Sequence, residues 1–325
     1  MNTVFCSEHS RQAGEDIIGS ASNYQIYILV ECPQPWASDA FNSRWVPENL
    51  QILIKEVKRS KIPINFLLIA NNLSHKVDQT TLLIYKIKDG LGDGYYKQEF
   101  KLANIEQVAP VVRQWLLHGI PECEVETSPT RDLLVCTHGS HDHCCARYGN
   151  PFFFHATATI SHLDLENIRI WKSSHFGGHR FAPTLIDLPS GRYYGNLEQE
   201  TFRQILTRSG DIKCLNKVYR GWGILPPSIQ VLEREFILHY GWDWFNYKVV
   251  GRTIEQSLDK NTIQAELTFQ KPDGSLHTYQ GKMIKYDTKN MQIKASCSTK
   301  KESVFVKYAV TSLTLTSNQL LTCSK

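Results

Sequence analysis

Short apolar runs rich in β-branched and aromatic residues alternate with amphipathic stretches along the first two thirds of the chain, the pattern of strands interleaved with helices. Residues 24–30 form the first run, which ends at Cys32-Pro33. Leu50, Ile52, Leu53, Ile54 and Val57 then recur at near-helical spacing, with Lys58 and Arg59 at the end where the helix dipole favours cations. A second strand is predicted over 64–70, and 81–87 and 95–102 flank the glycine-rich stretch 89–94 as a hairpin. Asn104 is expected to cap a helix through Val108, Val112 and Trp115 that closes near Gly119. Strand, helix, strand, hairpin, helix is a thioredoxin-like order, a mixed sheet with helices on its faces.

After a linker over 122–130 the order recurs. A strand is predicted at 133–136, a helix at 148–160, a strand at 167–171, a hairpin of 181–187 and 192–194 around Pro189-Ser-Gly191, and a helix over 198–207 capped by Asn196. The chain thus reads as an internal structural repeat, with one degenerate thioredoxin-like unit at 1–121 and a second, carrying the candidate metal site, at 128–210. In the region 220–325, a helix over 228–240 places Ile229, Leu232, Phe236 and Tyr240 on one face. Period-two segments at 263–269, 277–279, 282–286, 292–295 and 304–308 predict a small antiparallel sheet with a turn at 271–274. The expected fold class is α/β: two thioredoxin-like units, each a mixed sheet with flanking helices, plus a small C-terminal antiparallel β-rich region.

Composition narrows the function. A net charge of +4 over 325 residues, with the basic residues scattered, argues against a nucleic-acid partner. No run approaches the roughly 18 apolar residues of a membrane span, and the opening residues lack the apolar core of a secretory leader. Nine cysteines at irregular spacing then suggest a reducing, cytoplasmic setting, with thiols reduced or on metal.

The candidate chemistry lies in two stretches. Cys136-Thr-His-Gly-Ser-His-Asp-His-Cys-Cys145 puts thiols on a loop after an apolar strand, and His175-Phe-Gly-Gly-His179 sets two imidazoles either side of a glycine pair. Gly177 and Gly178 disfavour helix, so this pair belongs to a loop, and they allow close backbone approach. Together the stretches supply four ligands for one centre, and thiolate with imidazole suits zinc, copper or iron. Adjacent Cys144 and Cys145 are poor joint ligands, so one of them packs or supports. His138, His141 and His143 are further imidazoles in the same polar loop. In the first half, Cys6 and His9, and Cys32 before Pro33, have no histidine pair to complete a second site.

Cys136-Thr-His-Gly-Ser with Cys144-Cys145, His175-Phe-Gly-Gly-His-Arg-Phe-Ala182 and Pro189-Ser-Gly-Arg-Tyr-Tyr-Gly195 together resemble the sucrase/ferredoxin-like family, most densely over 133–206. The resemblance implies a [2Fe-2S] cluster on two cysteines and two histidines spaced C-x8-C and H-x3-H. On matching positions these are Cys136, Cys145, His175 and His179, with Cys144 the alternative second cysteine. Gly139, Ser140, Gly177, Gly178 and Arg180 are the expected surroundings that tune it. Imidazoles in place of thiolates make such a cluster less negative, so the expected role is a relatively high-potential one-electron carrier with a pH-dependent potential, serving a redox partner protein. No carboxylate pair marks a glycosidase and no catalytic residue stands out, so a carrier is expected more than an enzyme with its own substrate. Two alternatives remain open on the residues: a structural Cys2His2 zinc site, and a thiol oxidoreductase, which would need a CxxC pair that Cys136-Thr-His-Gly does not provide.

Overall fold

The computed structural model describes residues 5–71, 79–119, 130–286, 291–299 and 301–320, so the linker expected over 122–130 lies, except for Thr130, outside the described residues. The chain divides into two compact units, one built from Tyr24–Ile87 and Tyr95–Pro189 and the other from Met1–Asn23, Lys88–Gly94 and Ser190–Lys325.

A short helix α1 (Cys6–Gln12) belongs to the latter unit. The former unit opens with β1 (Ile26–Glu31), α2 (Glu48–Ser60), β2 (Ile64–Ala70), β3 (Thr80–Ile87), β4 (Tyr95–Leu102) and α3 (Val108–His118). β2 runs parallel to β1, while β3 is antiparallel to β1 and β4 to β3. The same scheme then repeats with β5 (Arg131–Cys136), α4 (His143–His162), β6 (Ile168–Ser173) and β7 (Leu185–Leu188), β6 being parallel and β7 antiparallel to β5. The halves join where β2 meets β6 antiparallel at Ile69 opposite Ser173 and Ala70 opposite Lys172. The strand order within the unit is β4-β3-β1-β2-β6-β5-β7.

Alternation along these strands sends every second side chain to one face. Ile28, Val30, Leu68, Leu82 and Ile84 meet Leu50, Leu53, Ile54 and Val57 of α2 and Val112 and Trp115 of α3 in one apolar cluster. Each fully buried aliphatic side chain contributes about 2 kcal/mol relative to exposure, which explains why the 3.6-residue and two-residue periods are legible here. One capping expectation fails here and one helix start moves. Asn104 makes no side-chain cap bond, and a 3-10 turn (Ile105–Gln107) leads into α3 while Gln107 Oε1 accepts from the Ala103 amide at 3.0 Å. α4 begins at His143 and not at Tyr148, because Asp142 is its cap and its Oδ1 accepts the Cys144 amide at 2.9 Å.

Charged residues also tie the two halves together. Arg169 on β6 forms a fork on Glu99 of β4, both bonds 2.8 Å, and donates through Nε to the buried Asp132 of β5 at 2.8 Å. Asp132 further accepts from Trp171 at 2.8 Å and lies 2.6 Å from Lys97 Nζ. Burial alone would raise the Glu99 carboxyl, but the hydrogen bonds and charge of Arg169, joined by Lys101, outweigh it and hold Glu99 at about 2, against an ordinary 4.5. A depressed folded-state value stabilises above the unfolded value and is lost as pH falls through the folded one, here between about pH 5 and 2. Urea titrations of wild type and Glu99→Gln should therefore differ most at neutral pH and converge near pH 2; a gap that stays constant would remove this assignment.

The other unit carries β8 (Arg192–Tyr194), α5 (Gln199–Thr207), α6 (Leu215–Val218), β9 (Tyr219–Trp222) and α7 (Pro227–Tyr240). Asn196 does not cap α5: it sits at φ 52° and the helix starts after Glu198. Arg192 is fully buried, with Trp222 stacked 3.7 Å from its guanidinium and Glu233 of α7 accepting at 2.9 Å. β10 (Lys248–Gln256), β11 (Thr262–Gln270), β12 (Ser275–Lys285) and, after the ribbon of β13 (Met291–Lys294) and β14 (Glu302–Phe305), β15 (Tyr308–Leu320) follow. The order β10-β11-β12-β15 is an antiparallel sheet, and α7 lies on it through Phe236, whose ring centroid is 5.5 Å from that of Phe269. Gly251 and Gly281 permit this approach, since a Cβ on either would stand 2.5 Å from Ile229 or Leu232. The segments 277–279 and 282–286 form one long strand, β12, which Gly281 does not interrupt; β10 and most of β15 had no counterpart in the sequence reading. Among the described residues no helix is long and apolar enough to cross a membrane.

Candidate metal centre

The register of β5 and β6 builds the site. Cys136 ends β5 directly opposite Ser173, which ends β6, so the loops leaving these parallel strands emerge side by side. Ligand sites favour this position, the carboxyl ends of parallel strands. Two residues beyond Ser173 stands His175, whose Nδ1 is 3.7 Å from Cys136 Sγ and 3.6 Å from Cys145 Sγ. The Gly177 amide donates to His175 Nε2 at 3.2 Å, leaving Nδ1 turned toward the sulfurs. Cys136, Cys145 and His175 offer donor atoms within 4.8 Å of one another, and His141, His175 and His179 form a second such group sharing His175.

Cys144 and Cys145 lie in the first turn of α4, not on a loop as the polar run suggested. Successive helix positions point about 100° apart, so the two thiols diverge, and it is Cys145 that groups with Cys136 and His175. α4 presses against the end of β5: a Cβ at Gly149 would stand 2.0 Å from the Cys136 carbonyl oxygen. Gly139 has a similar role, because a Cβ there would meet that of Ala146 at 2.6 Å. Burial raises the Cys136 thiol, yet hydrogen bonds from Cys145 and His175 outweigh it and hold Cys136 well below the usual thiol range. Cys145 keeps the shared proton and is pushed up, first by its bond to Cys136 and then by burial.

The histidine loop depends on its glycines. Gly177 and Gly178 have φ of 94° and 82°, left-handed values that side chains disfavour, and they turn the backbone so that His179 opens a 3-10 turn. The His175 and His179 rings then stack at 5.0 Å between centroids. His179 Nδ1 lies 3.5 Å from Asp142 Oδ2, so the carboxylate that caps α4 also stands beside this imidazole. The guanidinium of Arg180 lies over the Phe181 ring at 4.2 Å.

The remaining histidines separate by their bonds. His138 is buried, accepts the His175 amide at Nδ1 (3.2 Å) and meets the Ala37 carbonyl at Nε2 (2.7 Å), so both nitrogens are engaged. Burial pushes its pKa below the imidazole norm, and the neutral ring acts as a spacer. His141 is exposed and stacks on His175 with centroids 4.0 Å apart, a proximity the sequence reading missed. His143 is exposed at the start of α4. Ser140 Oγ donates to the Trp36 carbonyl at 2.7 Å, so a loop of the first half covers the site. The corresponding Cys32 of that half is buried and its thiol is pushed up to about 12 by burial.

The parallel strands of this mixed α/β sheet thus end in groups of thiol and imidazole donors that could hold metal. The chain belongs to the sucrase/ferredoxin-like family, whose sequence profile matches residues 17–221. Comparison with curated proteins and with solved structures gives no significant match.

Proposed function

We propose that the protein holds a [2Fe-2S] cluster through Cys136, Cys145, His175 and His179 and carries single electrons for a redox partner protein in a reducing, cytoplasmic compartment. One observation carries this reading: two buried thiols and a histidine of a glycine-turned HxxxH pair converge, with donor atoms within 4.8 Å, and the second histidine stacks on the first. The donor set fits such a group, with sulfur for iron and imidazole to reduce its negative charge. When bound, it would supply a one-electron couple of relatively high potential, in the way that Rieske-type centres lie at about −150 to +300 mV and plant-type ferredoxins near about −400 mV.

The chain's own residues prepare and insulate the site. Cys136 gives up its proton readily, favoured by the His175 ring beside it. Asp142 places a carboxylate 3.5 Å from His179 Nδ1, and His138 accepts the His175 amide. The exposed His141 edge, stacked on His175, is the face on which a redox partner would dock. The same three donor atoms also suit a single zinc ion. Iron, sulfide and zinc content with an absorption spectrum of anaerobically purified protein separates the two: iron and sulfide in equal amounts with a red-brown colour are expected, and stoichiometric zinc without sulfide overturns the proposal.

A further inference from the structure

Two cysteines outside the proposed ligand set lie together. Cys6 on α1 and Cys297, in the bend after β13, are 291 positions apart in sequence, yet their sulfurs lie 3.6 Å apart within one compact unit. Both are reduced thiols. Their meeting follows from how α1 docks. His9, one turn beyond Cys6, accepts the Lys294 amide at Nδ1 (3.4 Å), so the helix and the ribbon align with the same three-residue offset from His9 to Cys6 and from Lys294 to Cys297. A second tether holds the end of α1: Ser10 donates to Glu15 at 2.7 Å, and Glu15 meets Lys307 at 2.9 Å, where β15 begins. The 3.6 Å separation is van der Waals contact between the sulfurs, against the roughly 2.05 Å of a disulfide. Access differs between them, Cys297 being partly exposed and Cys6 fully buried.

We infer that Cys6 and Cys297 are a thiol–disulfide exchange site for low-molecular-weight disulfides of the glutathione class, with Cys297 attacking and Cys6 resolving. The Cys297 thiolate attacks one sulfur of the external disulfide, whose S–S bond breaks and releases one thiolate. The Cys6 thiolate then attacks Cys297 Sγ and expels the second. Two protein thiols are oxidised, one external disulfide is reduced to two thiols, and the two protons pass to those products. The bridge closes a loop of nearly the whole chain, so it restricts the unfolded state strongly and anchors α1 to the ribbon.

The test treats the full-length protein with glutathione disulfide and maps peptides without reduction. A crosslink between the peptides carrying Cys6 and Cys297, reversed by dithiothreitol and accompanied by a higher urea midpoint, is expected. Cys6→Ser should stop at a glutathione adduct on Cys297, and Cys297→Ser should leave Cys6 unmodified. A bridge from either residue to another cysteine, or a stable adduct on wild-type Cys297 without a crosslink, overturns the assignment. So does an oxidised wild type whose urea midpoint equals that of Cys297→Ser.

Discussion

Cys136→Ser protein is expected to purify colourless, with iron and sulfide reduced to background, whereas Cys144→Ser keeps both near wild-type content. The two residues are alike in burial and chemistry, and sequence spacing alone does not separate Cys144 from Cys145. Helix geometry does, since the first turn of α4 directs Cys145 toward Cys136 and His175 and sends its neighbour elsewhere. Serine at Cys136 removes a thiolate that the surrounding hydrogen bonds favour, and a hydroxyl is a much weaker ligand for iron. Loss of colour in Cys144→Ser with colour retained in Cys136→Ser would reverse the ligand assignment. His179→Cys extends the test: added thiolate character should retain colour while lowering the midpoint potential by on the order of 100 mV or more. An unchanged midpoint would place His179 outside the ligand set.

Gly149→Ala is expected to destabilise the protein by about 3 kcal/mol or more and to lower iron content with it. In an open helix the same change stabilises by about 1 kcal/mol, so the sign itself is diagnostic. Here the added methyl would stand 2.0 Å from the Cys136 carbonyl oxygen, with backbone on both sides of the contact. Neither α4 nor β5 can yield as a side chain would, so the helix must lift from the strand end, and Cys145 moves with it. Urea midpoints and iron per chain measure both effects. A stabilised variant with full iron would mean that α4 does not press on Cys136.

The strands of the first half were legible because each is apolar, short and bounded by turn residues: β2 forms at the expected 64–70, and β3 and β4 begin and end within a residue of their expected bounds. β10 escaped because its side chains are mostly exposed, leaving no alternation to detect. β15 escaped for a related reason, since Thr and Ser occupy much of it and even Leu313 and Leu315 are exposed. At the site, the glycine pair announced the histidine loop, because left-handed backbone demands those residues. The start of α4 was readable in principle from Asp142, an N-cap residue misread as part of a polar loop. Its second role beside His179 was not, nor was the use of Trp36 and Ala37 carbonyls by Ser140 and His138, since these contacts cross 37 to 104 positions of sequence.

That loop of the first half bears on how such a chain can be shortened or diverge. A repeat that contributes none of the proposed ligands would ordinarily be free to drift or to be deleted. Here the backbone around Trp36 and Ala37 anchors Ser140 and His138, and the seam at Ile69 and Ala70 closes the open edge of β6. The ligand-free copy therefore serves as wall and insulation for the other, and a minimal fragment starting at β5 would be a chain with its donors intact and its shelter gone.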